Sequence, residues 1–184
     1  MGPYHDELTT MNGRPAARGP EPKRGLPTMR VHICAVGRLR KGPEADLIDD
    51  YLTRATRSGR ALGLGPVSVS EVDDRKGGGM AAEAVLLEKA LPDRARVIAL
   101  DERGAVMSSP DFADLLARWR DEGVSDCAFV IGGADGIDPA LRGRADQALS
   151  FGRMVWPHML VRVMLAEQIY RAVTILAGSP YHRV

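Results

Sequence analysis

Cysteine is nearly missing from this chain: Cys34 and Cys127 are the two among 184 residues. Each falls inside a stretch with strand character, so both read as small buried hydrophobes, and a disulfide framework or cysteine metal site is excluded. No secretory apolar segment is legible either, so an intracellular, cytoplasmic location is expected. Charge of one sign is also lacking. The net charge is +1, which is not the overall basic footprint of a protein that binds naked nucleic acid. No long apolar run is free of charge. The most apolar stretch, residues 158–176, carries Arg162, Glu167, Gln168 and Arg171 in its middle. Charges at the centre of a bilayer are costly, so a membrane span is not expected. The phosphate-binding patterns GxGxxG and GxxxxGK[ST] are absent. No serine or cysteine has a base at legible spacing. Asp135 has no companion acids or histidines at ligand spacing, so no metal is expected.

The length allows one domain with a sizeable core. Residues 1–28 hold five prolines and four glycines with no apolar period, a composition that reads as a disordered N-terminal extension. Met29 opens the first periodic segment and is a candidate start of the folded unit, residues 29–184. From there strands and helices alternate. Strands are expected over 30–36, 66–72, 96–100 and 126–131, and helices over 44–56, 80–91, 109–122, 139–145 and 158–176. Ser109 reads as the cap of its helix, with Pro110 and Asp111 in the first turn, and Asp138 caps the short helix opened by Pro139. Residues 101–104 read as a turn, and the glycine-rich stretch 73–79 as a mobile loop. This alternation predicts an α/β fold: a mostly parallel sheet flanked by helices on both faces. Such sheets bind ligands beyond the carboxyl ends of their strands. Three lips are therefore candidates: the turn after Leu100, the loop Gly132-Gly133-Ala134-Asp135-Gly136, and residues 150–157.

The C-terminal third organises the rest. Its helix is apolar on almost every face, which predicts burial on several sides, between the chain's own core and a second subunit. The paired glycines at 132 and 133 suit a close backbone approach to a ligand, or simply a tight strand-to-helix turn. Four arginines (Arg153, Arg162, Arg171, Arg183) and two histidines stand against the single acid Glu167 from Ser150 onward. They either make a local positive field or pair with acids elsewhere in the fold. Glu167 and Arg171, four apart, suit an intrahelical ion pair. The tail Tyr181-His182-Arg183 has no core to fill. It offers a ring for stacking, a proton-transfer group and an anion-binding fork.

Three ordered stretches, FVIGGADGID, ALSFGRMVWPHMLVRVMLAEQIYRA and a terminal PYHR, together resemble the SPOUT-class 23S ribosomal RNA (pseudouridine N3)-methyltransferases, the ribosomal RNA large subunit methyltransferase H family. The resemblance covers about residues 29–184. It implies a SPOUT-type fold with a C-terminal trefoil knot, which general chain-threading rules would not suggest. It also implies a homodimer with the apolar helix at its interface. It places the cofactor S-adenosyl-L-methionine among Leu100, Gly132, Gly133, Phe151, Gly152, Arg153, Met154, Val155 and Trp156, the three lips chosen above. It assigns Tyr181, His182 and Arg183, from the partner's tail, to the acceptor site. Ser179 and Val184 depart from the family pattern.

The reaction so implied moves a methyl group to N3 of a pseudouridine in 23S ribosomal RNA on the assembled ribosome. Alignment of two reactants then supplies most of the acceleration. N3 must lose a proton, to His182 or with the anion stabilised by Arg183; Arg153 and Arg162 are alternatives for that role. Two other readings compete: a non-catalytic ribosome- or RNA-binding module, and a SPOUT methyltransferase acting on transfer RNA.

Overall fold

The computed structural model describes residues 25–73 and 77–183. Most of the expected N-terminal extension and the centre of the 73–79 loop, together with Val184, lie outside the described residues. The elements run β1 (Met29–Val36), α1 (Pro43–Gly59), a 3-10 turn (Arg60–Leu62), β2 (Leu64–Val72), α2 (Gly79–Ala90), β3 (Arg96–Val106), α3 (Ser109–Asp121), β4 (Asp126–Ile131), α4 (Pro139–Arg144), β5 (Gln147–Ser150) and α5 (His158–Leu176).

Five parallel strands form one sheet in the order β2-β1-β4-β3-β5. The period of two along β1 divides its side chains between two layers. Met29, Val31, Ile33 and Ala35 enter the larger core with Ile98, Phe129 and the buried faces of α1, α3 and α5. Cys34 and Val36 enter the smaller one with Ala84 and Leu87 of α2 and Leu141 of α4. Both cysteines are buried free thiols, and burial pushes the Cys34 thiol up to about 11. The α/β reading of the sequence is therefore the observed architecture.

Four local expectations change. Residues 101–104 are not a turn: β3 continues through them, and Leu100 and Ala105 both align with Leu149 of β5. The extra residues bulge from the ladder, as two stretches of one strand opposing one residue require. Gly104 permits this crossing, since a Cβ there would lie 2.6 Å from the carbonyl carbon of Ala148. The cap of α3 is Ser108, one residue before the expected Ser109. Its hydroxyl accepts the Asp111 N–H at 3.2 Å while Asp111 accepts from Ser108, the reciprocal capping box that this spacing allows. β5 has four residues, too few to show a period. Finally, α5 is buried in this chain on one stripe, including Leu165, Ala166, Ile169, Ala172 and Val173, and Leu160 is 39 % exposed. The sheet covers only one side, with α1 and α3 flanking it.

One buried cation joins the layers. Arg162 of α5 is 2 % exposed. Its Nη1 reaches Glu71 Oε1 of β2 at 2.9 Å, and its Nη2 donates to the carbonyls of Val36 and Gly37, the latter at 2.7 Å. The carboxyl ends of β1 and β2 are thus pinned to the first half of α5. At the opposite end of the sheet, Asp126 accepts two hydrogen bonds from Arg30 at 2.8 Å and one contact from His32 at 2.7 Å. The Arg30 bonds hold the Asp126 carboxyl below the usual carboxylate range in spite of burial.

Arg162→Met removes one partner of a buried pair and should cost about 3 kcal/mol or more in urea unfolding at neutral pH; a loss under about 1 kcal/mol would mean the pin carries little. Asp126, whose folded pKa is depressed, stabilises above the unfolded carboxylate pKa near ~4 and loses that contribution as pH falls through the folded value. Asp126→Asn should therefore melt lower than wild type at pH 7, with a shallower fall in Tm below about pH 4.

Candidate active site: a cleft beyond the strand ends

The carboxyl ends of β3, β4 and β5 open into a cleft of about 600 Å³. Three segments line it: Leu100 to Arg103 on the bulged part of β3, residues 131–137 after β4, and residues 149–158 without Arg153, with Val161 of α5 behind them. Leu100, Ile131, Ile137 and Leu149 form an apolar floor, and glycine backbone forms one wall.

Glycine chemistry shapes that wall. The chain turns tightly at residues 133–136, with the Gly136 N–H donating to the Gly133 carbonyl at 3.1 Å. A Cβ on Gly132 would fall 2.3 Å from the Gly136 carbonyl oxygen, so only glycine permits this closure. Gly133 is less constrained. Its added Cβ would meet the Glu83 carboxylate at 2.9 Å and Val36 Cγ1 at 3.2 Å, both side-chain atoms. The two readings of GGADG merge: it is a tight strand-to-helix turn, and it lines the cleft. Gly152, at φ 118°, holds a conformation that favours glycine. The neighbouring Ser150 hydroxyl accepts the Gly152 N–H at 3.1 Å and lies 3.1 Å from the Glu102 carbonyl. One buried hydroxyl thus ties the third lip to the first.

Asp101 is the charged group set deepest in the lining, with its side chain 5 % exposed. Burial works against its charge, but hydrogen bonds from Arg103 and the nearby Arg142 guanidinium outweigh it and hold the carboxyl below the usual range. Glu83 stands just behind Gly133, and its buried Oε2 has no hydrogen-bond partner among the described residues.

Leu100, Gly132, Gly133, Phe151, Gly152, Met154, Val155 and Trp156 all line the cleft, as the sequence suggested; Arg153 does not. Tyr181, His182 and Arg183 are not among the lining residues. The tail folds back on the far half of α5. The Tyr181 ring packs on Tyr170 at 4.8 Å and beneath Arg171 at 5.0 Å, and its hydroxyl donates to Glu167 at 3.1 Å. Burial, then that hydrogen bond, pushes the Tyr181 phenol far above its ordinary value, so it is a neutral donor. Arg171 Nη1 lies 3.3 Å from His182 Nδ1. From Val161 to Tyr170 the helix rises about 14 Å, so within one chain the tail packs on the middle of α5, away from the cleft. The expected Glu167–Arg171 ion pair is present at 2.6 Å. Sequence reasoning missed Asp101, Glu83 and Arg142. No motif surrounds Glu83 or Arg142, whereas Asp101 was legible as the residue after Leu100 had its segment been read as strand.

Among the described residues no group of three or more histidines, cysteines or carboxylates is placed to hold a metal ion, and no helix is long and apolar enough to cross a membrane.

Residues 29–182 match a family model described as Predicted SPOUT methyltransferase. A protein named Ribosomal RNA large subunit methyltransferase H from Ruegeria sp. (strain TM1040) is 72% identical over 156 residues, which cover 85% of this chain and 100% of that protein. Its namesake from Roseobacter denitrificans (strain ATCC 33942 / OCh 114) is 73% identical over 155 residues, 84% of this chain and 99% of the relative. A solved structure of a probable methylase family protein from Haemophilus influenzae Rd KW20 is similar over 85% of this chain and 71% of that chain, with TM-score 0.47 and 13% identity. With a parallel α/β sheet, a glycine-walled cleft at its carboxyl end and relatives that align with it over their whole length, this chain is a member of the SPOUT methyltransferase family, among the proteins named ribosomal RNA large subunit methyltransferase H.

Proposed function

We propose that this protein is a cytoplasmic homodimer that uses S-adenosyl-L-methionine to methylate N3 of a pseudouridine in 23S ribosomal RNA on the assembled ribosome. The observation that carries this reading is the end-to-end match to relatives named for large-subunit ribosomal RNA methylation. The cleft fits the cofactor. Its volume of about 600 Å³ suits a ligand of that size. The apolar floor suits adenine, and the wall at Gly132 admits a close backbone approach. The orphaned Glu83 oxygen beside Gly133 suits a cationic ligand. Leu100, Gly132, Gly133, Phe151, Gly152, Met154, Val155 and Trp156 would hold it, with Arg153 at the edge.

Bound there, the cofactor supplies an already activated methyl group, and the chain contributes alignment. The acceptor side comes from the tail of a partner subunit, since the chain's own tail packs on the middle of α5, away from the cleft. Exposed apolar groups around the start of α5 support this pairing: Met154 is 70 % exposed, Val155 78 % and Trp156 38 %. With Arg171 donating to Nδ1, His182 presents Nε2–H as a donor toward the charge that develops as N3 gives its proton to solvent water, and Arg183 adds a cation. Tyr181 supplies a ring and a hydroxyl. The trefoil knot of the C-terminal segment is proposed on the family relationship alone. Residues 29–184 form the methyltransferase domain, and 1–28 an extension outside it.

The decisive measurement is tritium transfer from labelled S-adenosyl-L-methionine to 70S ribosomes, free 50S subunits and transfer RNA. Incorporation into ribosomal RNA at a pseudouridine is expected. Labelling of transfer RNA alone, or cofactor binding without transfer to any substrate, would sink the proposal. Gly132→Ala should abolish cofactor binding in calorimetry while the far-ultraviolet spectrum stays native; Gly133→Ala should weaken it less, because only side-chain atoms stand in the way.

A further inference from the structure

Composition locates only part of the free cationic surface of this chain: Arg153 and Arg183 stay exposed, and a second group lies elsewhere. Of the four arginines after Ser150, Arg162 is buried against Glu71, and Arg171 is paired with Glu167. The connection from β1 to α1 is different. Arg38, Arg40 and Lys41 are all exposed there, and among the described residues their side chains form no hydrogen bond or ion pair. The base of this connection is held firmly. The Gly37 N–H donates to the Val72 carbonyl at 2.8 Å, the Leu39 N–H donates to Glu71 at 2.7 Å, and Arg162 holds the Gly37 carbonyl. It also starts beside the cleft, since Val36 Cγ1 lies 3.2 Å from the position of a Cβ on Gly133.

From Leu39 a groove of about 970 Å³ runs between α1 and β2. Ile48, Leu52, Val67 and Val69 form its apolar floor, and Arg57 and Arg60 stand at its far end. Both arginines are exposed, again with no side-chain partner among the described residues. Of the two acids in the lining, Asp49 and Glu71, the second is already neutralised by Arg162. Between Ala45 and Arg60 the helix rises about 22 Å. A track of that length with cations at both ends and an apolar bed fits a single-stranded polyanion, whose backbone follows the charges while base and sugar faces meet the floor.

We propose that the RNA strand flanking the methyl acceptor leaves the cleft over residues 37–42 and lies in the α1–β2 groove. Arg38, Arg40 and Lys41 hold its phosphates near the cleft, and Arg57 and Arg60 hold them at the far end. This rests on the ribosomal RNA reading above. Phosphate contacts of this kind set register and orientation, and carry no base specificity.

The test uses the full chain with two charge-reversed sets, R38E/R40E/K41E and R57E/R60E, and R118E on α3 as a control for charge reversal away from this surface. Three quantities are measured: cofactor affinity by calorimetry, affinity for 70S and 50S particles, and the salt dependence of that affinity. Each set should keep wild-type cofactor affinity and lose ribosome affinity by about tenfold or more, while R118E stays near wild type. The slope of log affinity against log salt should fall by roughly 0.7 per lost contact, about 2 for the first set and about 1.4 for the second. Wild-type ribosome affinity and slope in either set would overturn the proposal, as would an equal loss in R118E. A loss of affinity with an unchanged slope would assign the surface to a ribosomal protein, and overturn it too. If wild type itself binds cofactor but neither ribosomal particle, the reading of the substrate has failed, and that outcome is separate from these.

Discussion

The guanidinium of Arg162 is the contact on which the working end of this molecule depends. A charge buried that deeply is tolerated only when it is paired, and here a carboxylate and two main-chain carbonyls accept from its two Nη groups. The carbonyls belong to the last residue of β1 and the first of the connection after it, and the carboxylate to the end of β2. One side chain therefore fixes the carboxyl ends of two strands relative to α5. That same end of the sheet carries the cleft, and Val161, the residue before the arginine, lines it. An ion pair that adds little net stability against a hydrophobic substitute still sets where neighbouring backbone lies.

The cleft itself is built from main chain more than from side chains. Gly132 and Gly104 each allow two backbone segments to pass at a distance that any Cβ would forbid. Ser150 then bridges two of the segments through its hydroxyl. Asp101 is locked by two arginines, which makes it a fixed part of the wall with a settled charge. Chemistry on the acceptor side needs other groups. Those in the tail are engaged with Glu167, Tyr170 and Arg171 along the middle of the helix, away from the cleft. The proposed homodimer would bring the cleft of one subunit to the tail of the other and would cover the exposed Met154, Val155 and Trp156.

Much of this was legible in the residues before any coordinates. The bounds of α5 follow from its composition and from Pro157, and β4 with its following glycines matches the expected strand and turn. All three lips of the cleft were placed from the rule that open parallel sheets bind ligands beyond their carboxyl ends. The bulge in β3 was not legible, because Asp-Glu-Arg-Gly has the local chemistry of a turn, and only the ladder with β5 keeps it extended. Nor were the partners of Arg162 and Arg171 equally readable. Arg171 finds its acid four residues away, a spacing that helix geometry makes visible, whereas Arg162 finds its own 91 residues away in β2.

That difference marks the division between the two levels. Periodicity, caps and glycine positions act over a few residues, so the linear chain by itself determined the α/β class, every strand and α-helix but β5, and the segments that line the cleft. Which charges are spent inside the fold and which stay free is decided by contacts between distant residues. Only the folded chain therefore shows that the C-terminal arginines are half consumed, and that a second group of exposed cations stands on the connection after β1 and at the end of α1. The same holds for the tail, whose side chains are suited to proton handling in any context but whose distance from the cleft is set by the length and packing of α5.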